Sequence, residues 1–469
     1  MLRRMFVLGL LSSGVLPLKA SETEADLVII GAGAAGLSAA VSAAEGGLKN
    51  IVILEKAPFV GGHSVLSGGS VNFIDPERQL RQGISDSPER WKQEILETGA
   101  YRSDPQLVDV LVSEAPGTIE WLNRLGIRFR EEVFEAWSGR NKRAHSVDNK
   151  RSGFIYIRAL NKKARELGVR ILLSTTADSL VTQEGRVVGV NYRTKEKTLH
   201  TIRSKNVIIA SGGFTANVGM RMSFDKRLDS SIKTTADPAG SGFDSSTGEG
   251  ILMAVKAGAV TVDMDAVQLI PLQGGRVLNY SGGDILVDSR GERFVNEDAE
   301  VRYILEAYLN LPDRQMWVIT DSQSRKNDMF EPKLLSGVVQ KADSVSEMAE
   351  KMGVDPHVLT HTLTRYNRFA AQGYDEDFGK RVFTQQINRP PYYFGKERFD
   401  IHYTCGGLKI DAHARVLDKT GRPIPGLYAA GEVTGGIHGG GRLGGNSLID
   451  CFVFGRRAGR FAADSSPLQ

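Results

Sequence analysis

The sequence predicts an α/β protein, and three features of its N-terminal region carry this prediction. Residues 26–30, DLVII, form a largely apolar run, the glycine-rich segment GAGAAG follows at residues 31–36, and a helical pattern of small residues comes next. A second apolar run, IVIL at residues 51–54, ends in an acidic residue. A strand, a glycine turn, a helix and a second strand in this order are typical of a Rossmann-like βαβ unit.

The GxGxxG pattern in this unit predicts a dinucleotide site. Gly31 allows a tight turn, Gly33 lets a pyrophosphate approach the backbone, and Gly36 lets the helix pack on the strand. The helix N-terminus offers amide groups and a partial positive charge to phosphates. Glu55 lies 19 residues after Gly36, which suits a carboxylate that binds a ribose hydroxyl.

The segment after Glu55 favours FAD over a nicotinamide cofactor. Residues 56–72, KAPFVGGHSVLSGGSVN, are glycine-rich, whereas a nicotinamide-binding domain continues into another regular βα unit. Alternating strands are predicted at residues 169–181 and 186–194, with a turn at 183–185, and a further strand at 205–210 ends near Gly-Gly. TGEG at residues 247–250 is predicted to open a helix.

Composition and charge are typical of a globular protein and do not suggest a nucleic-acid partner. The chain has 469 residues, of which 24% are charged and 41% hydrophobic, as in ordinary globular proteins of two or three domains. The formal net charge is +4, and Arg3, Arg4 and Lys19 supply three of these charges. Without a basic stripe, no nucleic-acid partner is predicted.

The first twenty residues, MLRRMFVLGLLSSGVLPLKA, resemble a signal peptide. Adjacent arginines precede an apolar run that is too short to span a bilayer, and a small residue, Ala20, ends the segment. The Arg3-Arg4 pair resembles a twin-arginine export signal, a route that carries folded proteins. We therefore expect a periplasmic protein without a membrane span; an uncleaved apolar N-terminus is the alternative.

The two cysteines, Cys405 and Cys451, are interpreted as buried thiols near the cofactor. Neither lies in a CxxCH motif, so no c-type haem is predicted on this chain. They are not spaced as ligands, and no metal site is predicted.

Motifs across nearly the whole chain resemble the fumarate reductase/succinate dehydrogenase flavoprotein family. GAGAAG, LEK, GGHS, IIASGGF, TGEG, RFVNE, HYTCGG, PIPGLYAAGEVTGG and GGRLGGNSL occur in this order. The soluble flavocytochrome c and urocanate reductase branch is the most similar. The resemblance implies a glutathione-reductase-type FAD-binding domain at residues 21–263 and 402–469, interrupted by an α+β capping domain at 264–401.

The resemblance and the glycine loops together assign the cofactor site. Glu432 is expected to accept a ribityl hydroxyl, and the helix that begins near Asn446 to offer amides to the flavin. The predicted FAD-binding residues are Gly31, Ala32, Gly33, Ala35, Gly36, Glu55, Lys56, Gly62, His63, Ser64, Gly68, Gly69, Ala177, Ser211, Gly212, Glu432, Asn446, Ser447 and Leu448.

Three residues are expected to carry the chemistry that the family implies. Arg442, among the glycines of GGRLGGN, matches an arginine that binds a substrate carboxylate, for which a planar guanidinium is suited. His402 in HYTCGG matches a histidine that binds the same carboxylate. Arg302 is the expected proton donor, although the family arginine most often falls one residue earlier, on Val301. His438 is interpreted as structural.

Departures from the family pattern concern the far end of the substrate. A family histidine that holds a second carboxylate is replaced by Ile270, and the relay residues of the TExxR segment fall on Val277 and Tyr280. An apolar residue cannot hold a carboxylate, so a monocarboxylate or urocanate is favoured. Arg276 could compensate, which keeps a dicarboxylate open. The proton relay is then rebuilt through Glu300, Asp298 or Tyr280.

His63 occupies the place where some membrane-bound relatives attach FAD covalently. The SHT pattern of those proteins is absent because Gly62 precedes the histidine. We therefore expect non-covalent FAD.

The sequence thus predicts an exported FAD-dependent reductase of a carbon–carbon double bond beside a carboxylate, supplied with electrons by a periplasmic c-type cytochrome. Four alternatives stay open: a fumarate reductase proper, an aspartate-oxidase-like enzyme, a steroid-type dehydrogenase, and a flavin electron carrier without a substrate.

Overall fold

A computed structural model describes residues 22–136, 139–147, 152–242, 244–271, 274–278, 281–299, 301–327 and 329–465. The predicted signal peptide at residues 1–20 lies outside these ranges, as do Tyr280 and Glu300.

The first part of the chain runs to residue 263, the predicted domain boundary. Its strands and helices are β1 (Glu22–Ile30), α1 (Ala34–Glu45), β2 (Ile51–Leu54), α2 (Gly62–Leu66), β3 (Val71–Asn72), α3 (Pro76–Arg81), α4 (Pro88–Thr98), α5 (Pro105–Arg124), β4 (Ala144–His145), α6 (Ser152–Glu166), β5 (Arg170–Leu172), β6 (Thr176–Gln183), β7 (Arg186–Arg193), β8 (Leu199–Ile209), α7 (Val218–Phe224), α8 (Glu249–Lys256) and β9 (Thr261–Val262).

The remaining elements form the middle of the chain and its return to the first part. They are β10 (Val267–Ile270), β11 (Ile285–Asp288), α9 (Val301–Leu309), β12 (Met316–Thr320), α10 (Phe330–Leu335), β13 (Gln340–Ala342), α11 (Val345–Met352), α12 (Pro356–Gln372), β14 (Tyr392–Glu397), β15 (Asp400–Thr404), β16 (Gly407–Lys409), β17 (Arg415–Leu417), β18 (Pro423–Ala429), β19 (Thr434–Gly435) and α13 (Asn446–Asp464).

A mostly parallel sheet forms the centre of the FAD-binding part, as predicted. Its order is β17-β18-β8-β1-β2-β5, and the pairs from β18 to β5 are parallel. β6 and β7 form the predicted hairpin, which pairs antiparallel with β8. Residues 169–181, predicted as one strand, divide into β5 and β6. The parallel strands are continuous apolar runs because helices bury them, and Leu27, Val28 and Ile29 are fully buried.

Helices α1 and α13 pack closely because small residues line their contact. A methyl group on Gly455 would lie 2.5 Å from the carbonyl oxygen of Ala35, and one on Gly459 would lie 2.3 Å from that of Ala39. These contacts fix the position of α13, whose first turn borders the cavity described below.

The middle segment folds around its own apolar clusters. Strands β11-β12-β14-β13 form an antiparallel sheet, and α11 and α12 pack on it through Met348, Leu359 and Tyr366. Helix α9 contributes Ile304 and Tyr308 to a second cluster. We call residues 264–401 the cap.

Two features connect the cap to the rest of the chain. Leu228 and Ile232, which precede the predicted boundary at 264, pack in the α9 cluster. Strand β15 carries the chain out of the cap and pairs antiparallel with β10. In the described part of the chain, no helix is long and apolar enough to cross a membrane.

Two helical glycines provide a matched test of this packing. Gly459→Ala should lower the free energy of unfolding by about 1–3 kcal/mol, because the added methyl would overlap the backbone of α1. Gly117→Ala in α5, where an added methyl meets no atom within 4 Å, should be neutral or stabilise by up to about 1 kcal/mol. Equilibrium denaturation of both variants checks this, and equal effects would contradict the close packing of α1 on α13.

Candidate active site

One cavity of about 510 Å³ lies at the carboxyl ends of the parallel strands, where such sheets bind ligands. The predicted residues that line it are Gly31, Gly33, Ala35, Glu55, Lys56, Gly62, His63, Ser64, Gly68, Ala177, Ser211, Gly212, Ile270, His402, Glu432, Arg442, Ser447 and Leu448. The glycine loops and the two residues expected to bind carboxylate therefore meet in one space.

The glycine turn before α1 is shaped by close backbone contacts. Gly31 has φ of +104°, and a methyl group there would lie 2.3 Å from the carbonyl oxygen of Ala210. Gly33 precedes α1 and caps it without a side chain, and the amide of Ala34 donates only a long bond, of 3.3 Å, to Ser64 Oγ. The helix N-terminus thus presents amides to the cavity, which suits a pyrophosphate.

Glu55 and Lys56 follow β2 and lie at the same end of the cavity. Glu55 accepts bonds from the amides of Ala32 and Ala57, each at 2.8 Å, and these fix its carboxylate. Lys56 Nζ donates to Thr247 and Glu249 at 2.8 and 2.7 Å. The loop before α8 is therefore tied to the dinucleotide turn.

Four predicted cofactor residues lie behind the lining and act on its shape. Gly36 packs against Gly31, and Ala32 orients Glu55. Gly69 accepts a bond from Tyr156, and the Asn446 side chain is bonded to Asn72 at 2.8 Å. Their side chains or backbones support the cavity wall rather than face it.

Glu432 lies on the opposite wall, after β18. Its Oε1 accepts the amide of Thr404 at 2.9 Å and the hydroxyl of the same residue at 3.2 Å. Burial raises the pKa of Glu432. The charge of nearby His63 and the hydrogen bonds from Thr404 act in the opposite direction but do not outweigh burial. The first turn of α13, with Ser447 and Leu448, faces the same region.

Arg442 is buried without a carboxylate partner. Only 4% of the residue is exposed, Nη1 donates to the Leu443 carbonyl at 2.8 Å, and buried Nε has no hydrogen-bond partner. Among the residues that the structure describes, no carboxylate lies within 4.0 Å of this guanidinium. A buried cation in this state is costly, and an anionic ligand would relieve the cost.

An aromatic and acidic framework holds Arg442 in place. Its Cζ lies 4.5 Å from the ring centroid of Tyr403, a cation–π contact. The Tyr403 hydroxyl donates to Asp450 at 3.4 Å, and His438 Nε2 lies 3.2 Å from the same oxygen. His438 is buried behind Tyr403, as its structural interpretation implies.

His402 lies beside Arg442 on β15. Its Nδ1 is 2.8 Å from Thr235 Oγ1, which leaves Nε2 for a ligand. Burial, with the charges of Arg442 and His63, lowers the pKa of His402 to about 3. The imidazole is therefore neutral at neutral pH and serves as a hydrogen-bonding group.

The structure does not bring Arg302 or Arg276 into the cavity lining. Helix α9 buries Ile304 and Tyr308, and Arg302 falls on its exposed face with its guanidinium 5.0 Å from the ring centroid of Tyr303. Arg276 Nε pairs with buried Asp284 at 3.1 Å. Ile270 does line the cavity, and Tyr280 lies outside the described residues.

Each cysteine fits part of its interpretation as a buried thiol near the cofactor, since Cys451 is half-buried and Cys405 does not line the cavity. Cys405 is buried, Cys451 lines the cavity, and both are free thiols whose pKa is raised by burial.

Sequence reasoning missed three polar residues of the site. Thr235 orients His402, Tyr403 supports Arg442, and Asp244 binds His63 Nε2 at 2.7 Å. Thr235 and Asp244 lie in loops without a motif. Tyr403 lies within HYTCGG, directly after the predicted His402, and this position in the motif is the signal that could have identified it.

The residues present fit FAD. The cavity has the volume of a cofactor site, amides at one end, a fixed carboxylate at ribose spacing, and a buried unpartnered hydroxyl on Ser211 in its wall.

Comparison with known proteins agrees. A sequence family described as an FAD binding domain matches residues 26–448. The chain is 36% identical over 464 residues to a urocanate reductase of Eggerthella lenta, covering 94% of this chain and 75% of that protein.

Two further relatives extend the comparison. A Klebsiella pneumoniae NADH:fumarate oxidoreductase is 34% identical over 446 residues, which cover 93% of this chain but 47% of that protein, so the chain spans about half its length. The open conformation of a flavocytochrome c3 fumarate reductase superimposes with a TM-score of 0.83 at 32% identity, covering 95% of this chain and 79% of that one. The predicted family is confirmed: the chain belongs to the FAD-binding flavoprotein family that includes these fumarate and urocanate reductases, and FAD is its cofactor.

Proposed function

We propose that the protein is an FAD-dependent reductase of a carbon–carbon double bond adjacent to a carboxylate. One observation carries the proposal: a buried guanidinium without a carboxylate partner, Arg442, stands beside neutral His402 in the cofactor cavity. The relatives named fumarate and urocanate reductases support the same class of reaction.

The substrate carboxylate binds to Arg442, and His402 donates to the same group or polarises it. A charge-assisted bond to a buried guanidinium fixes the acid end of the substrate. Tyr403 and Asp450 hold the guanidinium, and Thr235 holds the imidazole. The glycine turn before α1 and the first turn of α13 would hold FAD, which in its reduced form would supply a hydride to the β-carbon. Withdrawal of charge toward Arg442 and His402 makes that carbon more electrophilic.

The substrate is a monocarboxylate in this proposal. Among the described lining residues, the basic side chains besides neutral His402 are Lys56, His63 and Arg442. Lys56 is bonded to Glu249 and His63 to Asp244, so only Arg442 is open to a ligand carboxylate. Apolar Ile270 lines the cavity where the family resemblance places a second carboxylate.

The proton for the α-carbon comes from the cap in this proposal. Arg302 serves as donor only if the cap moves so that the first turn of α9 faces Arg442. The structurally similar flavocytochrome was captured in an open conformation, which supports a cap that opens and closes. Arg276, held by Asp284, is the second cationic candidate in the cap.

Electrons come from a separate donor, a periplasmic c-type cytochrome, and the protein is exported by the twin-arginine route. The absence of a CxxCH motif in the printed sequence and the likeness to a flavocytochrome support this donor. A cell fractionation that leaves the protein in the cytoplasm would contradict the compartment.

Anaerobic oxidation of reduced methyl viologen by the holoprotein tests the reaction. Acrylate, methacrylate, cinnamate or urocanate should turn over faster than fumarate, because Arg442 is the one guanidinium among the described lining residues. Arg442→Ala should lower kcat/KM at least about 100-fold, since the carboxylate loses a buried charge-assisted pair. Arg422→Ala, at an exposed position, is the matched control and should leave turnover unchanged.

Three outcomes of this assay would contradict parts of the proposal. Fast fumarate turnover would reject the monocarboxylate. Activity retained in Arg302→Ala but lost in Arg276→Ala would move the proton donor. No turnover of any enoate would direct the search to aspartate with oxygen, then to steroid substrates and electron transfer alone.

FAD is bound without a covalent link in this proposal. His63 Nε2 lies 2.7 Å from Asp244 Oδ1, so this nitrogen is engaged in a hydrogen bond. A denaturing gel should show no flavin fluorescence in the protein band, and a fluorescent band would contradict non-covalent binding.

A further inference from the structure

His63 lines the cofactor cavity between two buried carboxylates that come from distant parts of the chain. It lies in the first turn of α2, and its Nε2 is 2.7 Å from Asp244 Oδ1, in the loop before α8. Its Nδ1 is 3.9 Å from Glu432 Oε2, after β18. Both ring nitrogens therefore face negative or acidic groups.

The surroundings of Asp244 favour its ionised form. It is 8% exposed, its Oδ2 accepts the Thr215 hydroxyl at 3.1 Å, and its Oδ1 accepts the Ser246 amide at 2.9 Å. Burial alone would raise the pKa of Asp244, but the bonds from His63 and Ser246 outweigh burial and lower it to about 2. Arg221 on α7 adds a further positive charge nearby.

The charge state of the imidazole follows from these neighbours. Burial would lower the pKa of His63, but the bond to Asp244 and the charges of Asp244 and Glu432 raise it overall. Among the described residues, neutral His402 on β15 also lies within electrostatic reach of His63. His63 itself contributes to the low pKa of His402.

We propose that His63 is a fixed cation of the cofactor cavity, with Asp244 as its counter-ion, and that it stabilises the negative charge which bound FAD gains on reduction. A charge in a buried, low-dielectric wall acts on a neighbouring redox group more strongly than one in water. The inference rests on FAD binding and not on the identity of the substrate.

Opposite effects of the two single substitutions are the signature of this arrangement. His63→Gln leaves Asp244 without its cation, so reduced FAD should bind less tightly relative to oxidised FAD by at least tenfold, a midpoint potential lower by about 30 mV for a two-electron couple. Asp244→Asn removes the anion. Where His63 is still protonated the potential should rise, and it should return toward the wild-type value as His63 loses its proton at higher pH.

The double substitution His63→Gln/Asp244→Asn restores the net charge of the pair. Its potential should lie above that of His63→Gln and at or below that of the wild type, because the cation is lost together with its counter-ion, and a merely structural role of the two residues does not explain this partial return. His357→Gln, an exposed position on α12, is the control for loss of a histidine and should leave the potential unchanged.

The test is the midpoint potential of the holoprotein, measured by anaerobic dithionite titration against a reference dye from about pH 6 to pH 8.5, the range that brackets histidine. Visible absorbance gives the FAD content of each variant. If His63→Gln loses its FAD, the potentials of Asp244→Asn and of the double variant test the proposal. A lower potential in His63→Gln and a pH-dependent rise in Asp244→Asn support the proposal. An unchanged potential in Asp244→Asn across the range, or shifts of the same sign in both single variants, would overturn it, whether or not any enoate is reduced.

Discussion

The arrangement of the site depends on one buried cation. Only 4% of Arg442 is exposed, and no carboxylate among the described residues lies within 4.0 Å of its guanidinium. The guanidinium is held by the Tyr403 ring and the Leu443 carbonyl. Protein interiors do not retain such a group without compensation. Tyr403 and Asp450 provide part of it, and the open face of the guanidinium is left for an anion. The glycines at 440, 441, 444 and 445 remove side chains around it, and the Gly445 position has no room for a methyl beside Asn72.

The fold brings this cation to the cofactor through long-range contacts. β15 carries His402 and Tyr403 out of the cap, while α13 carries Asp450 and is fixed by its glycine contacts with α1. The carboxyl ends of the parallel strands place the dinucleotide turn at the same cavity. His63 lines the same cavity from α2 and is bonded to Asp244 of the loop before α8, so this pair and Arg442 meet at one enclosure. Burial, with the charges of Arg442 and His63, gives His402 its low pKa.

The sequence predicted what local patterns encode. The βαβ unit, the β6–β7 hairpin and α8 were correct because glycine spacing and apolar periodicity determine them within a few residues, and most of the residues predicted to bind the cofactor line one cavity. Thr235 and Asp244 could not be predicted, since their roles arise only when separate loops meet. Arg302 and Arg276 were expected at the substrate, but α9 turns Arg302 outward and Asp284 holds Arg276. In both cases the packing of the cap, which no local pattern describes, determined the direction of the side chain.

In the proposed reaction, Arg442 binds the carboxylate of a small ligand. Calorimetric titration of the oxidised holoprotein with a saturated, unreactive monocarboxylate and with its uncharged amide, in wild type and in Arg442→Ala, tests this without turnover. We expect the carboxylate to bind the wild type at least about tenfold more tightly than the amide, and this preference to vanish in the variant. Equal affinities for acid and amide in the wild type, or a preference that survives in Arg442→Ala, would contradict the claim.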